Sequence, residues 1–553
     1  MKINGAQLII KLLEQHNIRY VTGIPGGANL PIYDALVDSS IEHILTRHEQ
    51  GGGFVAQGMA RVSGEVAVCM ASSGPGATNL VTAVADAHLD SIPLIAITGQ
   101  VPSNMLGTDA FQECDTFGLM LPITKHNWLV RSAAELLEVI PEAFRIAQSG
   151  RPGPVSIDVP KDVQQEVIEI DLLPDCLPKA DIPVISGEKI DQFRDYLAQA
   201  KRPILMVGGG VIHSGHPDLL LQFAEQQSIP TVASFMGLGI IPADHPLSLG
   251  MLGMHGAQAT NMALEECDLL IAAGVRFDDR ATGKASEFCP QAKIVHIDID
   301  RSEIGKIKQP TLGIKGDVCD AIEQLMARVE HNNRSAWITR IKDLKQNFGH
   351  GSSEGFSLNT PQGLMATLGD LCSSETNIIT DVGQHQMWTA QLFPFQRARQ
   401  WISSGGLGTM GFGLPAAIGA AFAQPDRMAL CVSGDGSIMM NIQELETLAE
   451  HNLNVKIVVM NNNHLGMVRQ QQKLFYRERF SGIHNRHRAN FALIAQGMGI
   501  RGIDLGDAAS PQQALADALA SDGPCLINIP ISEQEMVFPM VPPGAANRDM
   551  VVE

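Results

Sequence analysis

Short unbroken apolar runs, each closed by glycine, serine or an acid, recur along the whole chain. Pro203-Ile-Leu-Met-Val207 runs into Gly208-Gly209-Gly210, Asp268-Leu-Leu-Ile-Ala-Ala-Gly274 repeats that form, and Lys293-Ile-Val-His-Ile-Asp298 ends in an acid. Runs that are apolar throughout belong to parallel strands covered by helices on both faces. Between them lie stretches such as Ile442, Leu445, Leu448 and Ala449, with apolar residues three to four apart. That is helical spacing. The alternation predicts an α/β chain built on parallel sheets.

Two stretches break the pattern. Residues 171–188 carry Pro174, Pro178 and Pro183 among mixed polar residues, and 348–360 are rich in glycine and serine. Neither has helical or strand periodicity, so both read as linkers. They divide the chain into domains at 1–172, 189–345 and 360–530, with a tail at 531–553. The first and third blocks share a pattern. In the first, a small-residue helix at 52–61 is followed by a strand at 65–71, Ser72-Ser73-Gly74-Pro75-Gly76, a helix at 78–89 and a strand at 93–98. In the third, a helix at 413–422 is followed by a strand at 428–432, Ser433-Gly434-Asp435-Gly436-Ser437, a helix and a strand at 455–460. Two copies of one α/β domain therefore flank a third, which is also α/β.

Composition narrows the function. At about 150 residues per domain, 553 residues suit three or four domains. Hydrophobic residues reach 45% while charged residues are 18%, below the usual ~25%. The net charge of −19 argues against a nucleic-acid backbone as partner, which needs a basic face. Nine cysteines form no CxxC pair and several sit in apolar runs, as buried reduced thiols do. The N-terminus has neither a signal peptide's apolar core nor a transit peptide's character, and no apolar run is long enough to span a bilayer. The expectation is a cytoplasmic protein.

Three glycine-rich signals compete. Gly406-Leu-Gly408-Thr-Met410-Gly411 fits a dinucleotide fingerprint literally, but no acid ends the next strand where a ribose contact needs one. The alternative there is close helix packing. The richer constellation is Gly434-Asp435-Gly436 with Asn461-Asn462, Asp435 and Asn462 being 27 positions apart. Each ends an apolar strand, so a carboxylate and an amide oxygen converge at one sheet edge. Such hard oxygens suit Mg²⁺ bound with a substrate phosphate. The glycines admit a diphosphate, and a helix opening after Ser437 offers free N–H groups. A pair of tight turns with solvated polar residues is the plain alternative.

This spacing resembles the thiamine diphosphate signature. Thr22-Gly-Ile-Pro-Gly-Gly27, Arg47-His48-Glu49-Gln50-Gly51, Ser73-Gly-Pro-Gly-Ala-Thr78 and Gly406 to Pro415 resemble motifs of the same superfamily. Asp109-Ala-Phe-Gln-Glu113, Met251-Leu-Gly-Met-His-Gly256, Arg276-Phe-Asp-Asp-Arg280 and Pro539 to Asn547 narrow it. Over essentially its whole length the chain is similar to the catalytic large subunits of acetolactate synthase (acetohydroxyacid synthase), most of all to the bacterial isozyme I type. The resemblance implies a pyrimidine-binding domain, a central Rossmann-like FAD-binding domain and a diphosphate-binding domain. It implies a reaction in which pyruvate is decarboxylated on thiamine diphosphate and the hydroxyethyl carbanion passes to a second keto acid. Pyruvate as acceptor yields 2-acetolactate and 2-ketobutyrate yields 2-aceto-2-hydroxybutyrate, the first common step toward valine, leucine and isoleucine.

The same resemblance carries over residue by residue. Glu49 matches the acid that bonds the aminopyrimidine, and Gly27 an oxyanion-type N–H donor. Asp435, Asn462 and the carbonyl of His464 match the Mg²⁺ ligands. Val382, Gly383, Gln384, His385, Gly408, Met410, Gly434, Gly436, Ser437, Gly466 and Met467 match thiamine diphosphate contacts, with Met410 wedged under its two rings. Phe111, Gln112 and Lys161 match the substrate pocket. Arg276 matches an arginine meeting the second substrate's carboxylate, with an FAD contact or a structural ion pair as alternatives. Arg151, Gly208, Gly209, Gly210, Met254, His255, Gly274, Asp278, Asp298 and Asp317 match the flavin site. The 276–280 segment favours the FAD-containing biosynthetic type over the catabolic enzymes, which lack it. Glu49 argues against glyoxylate carboligase, and Phe111-Gln112 with Arg276 against pyruvate oxidase. Gln471 stands where most of the family has a tryptophan that packs on the ethyl group of 2-ketobutyrate. A homodimer or larger homo-oligomer, with its active site between subunits, and a small regulatory subunit are the implied partners.

Overall fold

A computed structural model of the chain describes residues 1–349, 355–485 and 487–552. The middle of the second expected linker, 350–354, and the last residue of the tail lie outside the described residues. The first third holds β1 (Lys2–Asn4), β2 (Tyr20–Gly23), β3 (Glu42–Leu45), β4 (Ala67–Ala71), β5 (Leu94–Gln100), β6 (His126–Leu129), β7 (Val155–Pro160) and β8 (Val167–Glu169). The middle holds β9 (Pro203–Val207), β10 (Thr231–Ala233), β11 (Ser248–Met251), β12 (Leu269–Ala273), β13 (Lys293–Asp298) and β14 (Leu312–Lys315). The last third holds β15 (Asn377–Thr380), β16 (Trp401–Ile402), β17 (Ala429–Gly434), β18 (Val455–Asn461), β19 (Arg501–Asp504) and β20 (Cys525–Pro530).

Three six-stranded sheets result, each parallel throughout. Their orders are β3-β2-β4-β5-β7-β6, β11-β10-β9-β12-β13-β14 and β16-β15-β17-β18-β20-β19. Counted from its own first strand, the outer pair share the order 2-1-3-4-6-5. The repeat read from sequence pattern is thus a repeat of topology. The middle sheet is 3-2-1-4-5-6, the doubly wound order whose chain reversal opens a crevice between strands one and four. Here those strands are β9 and β12.

The local reasons are plain in the sequence. Strands β9 and β12 are buried at every position, as their uninterrupted apolar runs require. The helix Glu49–Ser63 opens on His48, whose ring accepts the Gln50 N–H, and closes on Gly64 at φ 80°, a left-handed cap that glycine adopts freely. This helix crosses the helix Gly413–Ala423 inside one apolar core shared by the first and third sheets. At the crossing Gly58 lies on the Ala416 backbone and Gly419 on that of Val55.

Two expectations need correction. The helix expected after Ser437 opens earlier, at Asp435, and is broken into Asp435–Ile438 and Glu444–Glu450. Buried Asn441 lies in the break and donates to the Gly411 carbonyl and to Gln50 Oε1. The thiols form no disulfide among the described residues, but Cys176 is exposed rather than buried. It lies in the first linker, where no helix or strand forms before Gly187. Among the described residues no helix is long and apolar enough to cross a membrane.

Candidate active site

The carboxyl ends of β15, β17 and β18 meet at one edge of the third sheet. Parallel pairing sets Gly434 opposite Met460, so Asp435 and Asn462 leave neighbouring strands side by side. Asp435 is 4% exposed, and its Oδ2 accepts one amide hydrogen, from Asn485 Nδ2 at 2.9 Å. Burial raises its pKa, against the pull of Asn485 and of the Asn462 N–H. A desolvated carboxylate with so few donors is suited to a cation. Asn462 Oδ1 accepts the His464 N–H at 3.0 Å, while its Nδ2 donates to Gln384 Oε1 at 3.2 Å. The His464 ring turns back to the Asn462 carbonyl at 2.9 Å, and the His464 carbonyl has no backbone donor among the described residues. No cluster of three His, Cys, Asp or Glu occurs among the described residues. A metal here would rest on one carboxylate and neutral oxygens, the preference of Mg²⁺.

Glycines make room beside these ligands. A side chain at Gly383 or Gly434 would come within 2.9 Å of the His385 ring, and one at Gly466 within 2.7 Å of Asn462 Nδ2. His385 is buried, its Nε2 has no partner among the described residues, and burial holds its pKa down to about 3. Burial thus favours the neutral ring. Val382 and Gly383 precede the helix Gln384–Leu392, and Gly466 and Met467 open the helix Gly466–Phe475. Gly436 and Ser437 lie in the short helix after Gly434, where the Ser437 hydroxyl accepts the Gly434 N–H. Met410 is half-buried and lies near Gly436, and Gly408 is exposed. Gln471 is also exposed, beside Val468 and Phe475 of its helix and Tyr476 just past its end.

In the middle domain, Gly208–Gly210 follow β9 and Gly274 follows β12, at the reversal of strand order. The turns touch: Gly210 N–H donates to the Gly274 carbonyl at 3.1 Å, and a side chain at Gly274 would meet Gly210 Cα at 2.7 Å. Arg276 follows half-buried, with neither hydrogen bond nor ion pair to a described residue. Asp298 ends β13, nearly buried, and burial pushes its carboxyl up to about 6. Asp278 and Asp317 instead cap the helices Asp279–Thr282 and Val318–Met326. Arg151 is engaged by Ser91 and Glu303. Buried His255 binds the Pro539 carbonyl, and burial lowers its pKa to about 4. The tail joins this region to the third domain. Val541 N–H donates to the Met254 carbonyl, Asn547 to the Ala281 carbonyl, and Gln470 to the Val537 carbonyl.

The first domain carries the remaining candidates. Glu49 is half-buried at the start of its helix and accepts from Asn79 at 2.9 Å. The segment before it is held by Glu444, which accepts the Arg47 N–H at 3.0 Å. Gly27 is exposed, and its N–H donates to no described residue. Phe111 is 88% exposed, Gln112 sits at φ 60°, and Lys161 opens a short helix with no ion pair among the described residues. Among the described residues no hydrogen bond links Glu49, Gly27, Gln112 or Lys161 to the Asp435 cluster. Sequence reading missed Asn485, and also Asp381, whose Oδ1 accepts the Val382 and Gly411 N–H groups. Burial pushes Asp381 up to about 6. The only signal for Asp381 was its place at a strand end before glycine; Asn485 had none.

Three family models match the chain: the thiamine pyrophosphate enzyme N-terminal TPP binding domain over 3–119, the central domain over 190–325 and the C-terminal TPP binding domain over 381–529. The chain is 56% identical to the acetolactate synthase isozyme 1 large subunit of Escherichia coli (strain K12), over 100% of this chain and 98% of that protein. It is 45% identical to the isozyme 2 large subunit of the same organism, over 99% of each. To the probable acetolactate synthase large subunit of Methanocaldococcus jannaschii it is 45% identical, over 99% of this chain and 95% of that protein.

Proposed function

The chain belongs to the acetolactate synthase large-subunit family of thiamine diphosphate enzymes, and from that premise we propose how its own residues carry the reaction. It is an acetolactate synthase: it decarboxylates pyruvate and joins the remaining two-carbon unit to a second pyruvate or to 2-ketobutyrate. Thiamine diphosphate, Mg²⁺ and FAD are its cofactors. When bound, thiamine diphosphate supplies a carbon nucleophile that also holds the charge left by loss of CO₂. The observation that carries the reading is the under-partnered Asp435 carboxylate beside Asn462, ringed by glycines at one sheet edge.

Asp435, Asn462 and the His464 carbonyl would hold Mg²⁺. Val382–His385, Gly434–Ser437, Gly408, Gly466 and Met467 would take the diphosphate, with Met410 under the rings. Glu49 would exchange a proton with the aminopyrimidine nitrogen, a role for a positioned carboxyl. Gly27 N–H, which donates to no described residue, would donate to the reacting carbonyl oxygen. Phe111, Gln112 and Lys161 would line the keto-acid pocket, and the unpaired Arg276 fork would meet the acceptor's carboxylate. FAD would lie at the β9–β12 switch point, against Gly208–Gly210, Gly274 and Asp298, with Arg151, Met254, His255, Asp278 and Asp317 around it. Domains at 1–172, 189–345 and 360–530, with the 531–553 tail, fit this division. Because Glu49 and Gly27 do not bond to the Asp435 cluster in their own chain, a second copy would complete the site. The relatives' names as large subunits favour a small regulatory partner. Incubation with pyruvate, Mg²⁺ and thiamine diphosphate tests the reading: acetolactate forms without NAD turnover, and its absence would overturn the function.

A further inference from the structure

Loop 403–411 carries Gly408 and Met410, yet its tip is glycine-rich and exposed. What fixes it comes from the first domain, more than three hundred residues away in sequence. Asp90 accepts the Gly405 N–H at 2.9 Å and the Gly406 N–H at 2.7 Å, one on each oxygen. Asp86 Oδ1 accepts the Ser404 hydroxyl and, at 2.9 Å, the Thr409 hydroxyl. Ser404 Oγ in turn accepts the Thr409 N–H at 2.9 Å. Arg61 bridges both acids at 3.1 and 2.9 Å, donates to the Ser403 carbonyl and lies over the Phe412 ring. Both carboxylate side chains are fully buried. Burial and the neighbouring Asp90 raise the Asp86 pKa, against Arg61. A buried ion cluster of this kind adds little net stability, so its consequence is geometric: both ends of one loop are held by one pair of acids.

We propose that Asp86 and Asp90 are positioning residues for thiamine diphosphate, presenting Gly408 and Met410 to the cofactor in a single conformation through Ser404, Thr409 and the Gly405–Gly406 backbone. The proposal rests on the cofactor reading above. Neither acid touches the cofactor; each removes freedom that binding would otherwise have to restrict. Removing either acid would leave the buried Arg61 with one carboxylate in place of two, so the test uses Thr409→Val, which exchanges the hydroxyl bonded to Asp86 for a methyl group, and Ser404→Ala. Thiamine diphosphate binding to the full-length enzyme is measured by calorimetry at saturating Mg²⁺, together with FAD content and melting of the cofactor-free protein. Thr409→Val and Ser404→Ala should each weaken thiamine diphosphate about tenfold, the usual scale for one hydrogen bond to a charged group. Melting and FAD content should stay at wild-type values, kcat at saturating cofactor within about twofold, and Thr409→Ser should restore binding. Unchanged affinity in both variants, or loss matched by a lower melting temperature and not restored by serine, would overturn it. If the wild type itself binds no thiamine diphosphate, the functional reading fails, an outcome distinct from a failure in the variants alone.

Discussion

Replacing Gly419 by alanine places a methyl group where the helices Glu49–Ser63 and Gly413–Ala423 cross. That methyl would overlap the Val55 carbonyl oxygen and lie 2.8 Å from its carbon and 2.9 Å from Met59 N. All three are helix backbone, so no side chain can swing aside; normal carbon contacts are at about 3.5–4.0 Å. The helices must part within a core that both domains share. Overpacking of this kind costs up to about 3 kcal/mol, whereas alanine for glycine in a helix returns about 1 kcal/mol. The packing cost wins, with a net loss of about 2 kcal/mol. At ~2 cal/mol/K per residue, a cooperative unit of roughly 300 residues should then melt about 3 °C lower. Gly497→Ala is the control, because nothing lies within 4 Å of its methyl and it ends a helix. Calorimetry of the cofactor-free protein decides. If Gly419→Ala melts at or above the wild type, as Gly497→Ala should, the close crossing does not govern this interface.

Glu49→Gln should fold normally but slow exchange of the cofactor's C2 proton by ~10² or more; NMR exchange at the wild-type rate would remove Glu49 from proton transfer. Asp435→Ala should abolish Mg²⁺-dependent thiamine diphosphate binding and keep the yellow flavin, so joint loss would show that the two sites are not separate. Gln471→Trp should raise preference for 2-ketobutyrate over pyruvate by about 10-fold or more, since a methylene against an apolar wall is worth roughly 1–3 kcal/mol. Equal selectivity of the two enzymes in a competition assay would refute it. Burial pushes Asp158 up to about 7, although Thr98 and Gln100 donate to it. The folded state therefore keeps a proton that the unfolded chain releases near pH 4, and this contribution is lost as pH rises from about 4 to 7, at about 1.4 kcal/mol per unit. Asp158→Asn does not titrate, so urea unfolding should show the variant gaining on the wild type by a few kcal/mol across that window; a pH-independent difference would contradict the burial argument.

The amino-acid pattern alone determined whatever depends on neighbours in sequence. Apolar runs such as β9 and β12 had to be buried parallel strands, and β13 was legible to its last residue. The glycines and acids closing those runs lie at the carboxyl edge of their sheet, and the shared order of elements in the outer domains foretold their common topology. Asp435 and Asn462 could be paired because each ends a strand and the strands proved adjacent. Tertiary structure alone decided what depends on desolvation and on partners far along the chain. No local pattern shows that Asn485 would be the side-chain donor to Asp435, or that Asn441 would lie buried in a break of the helix expected after Ser437. None shows that Asp86 and Asp90 are buried against a loop over three hundred residues away. A hydrogen bond across such a distance leaves no periodicity behind. Its energy comes from the burial that surrounds it, and burial exists only once the domains have packed.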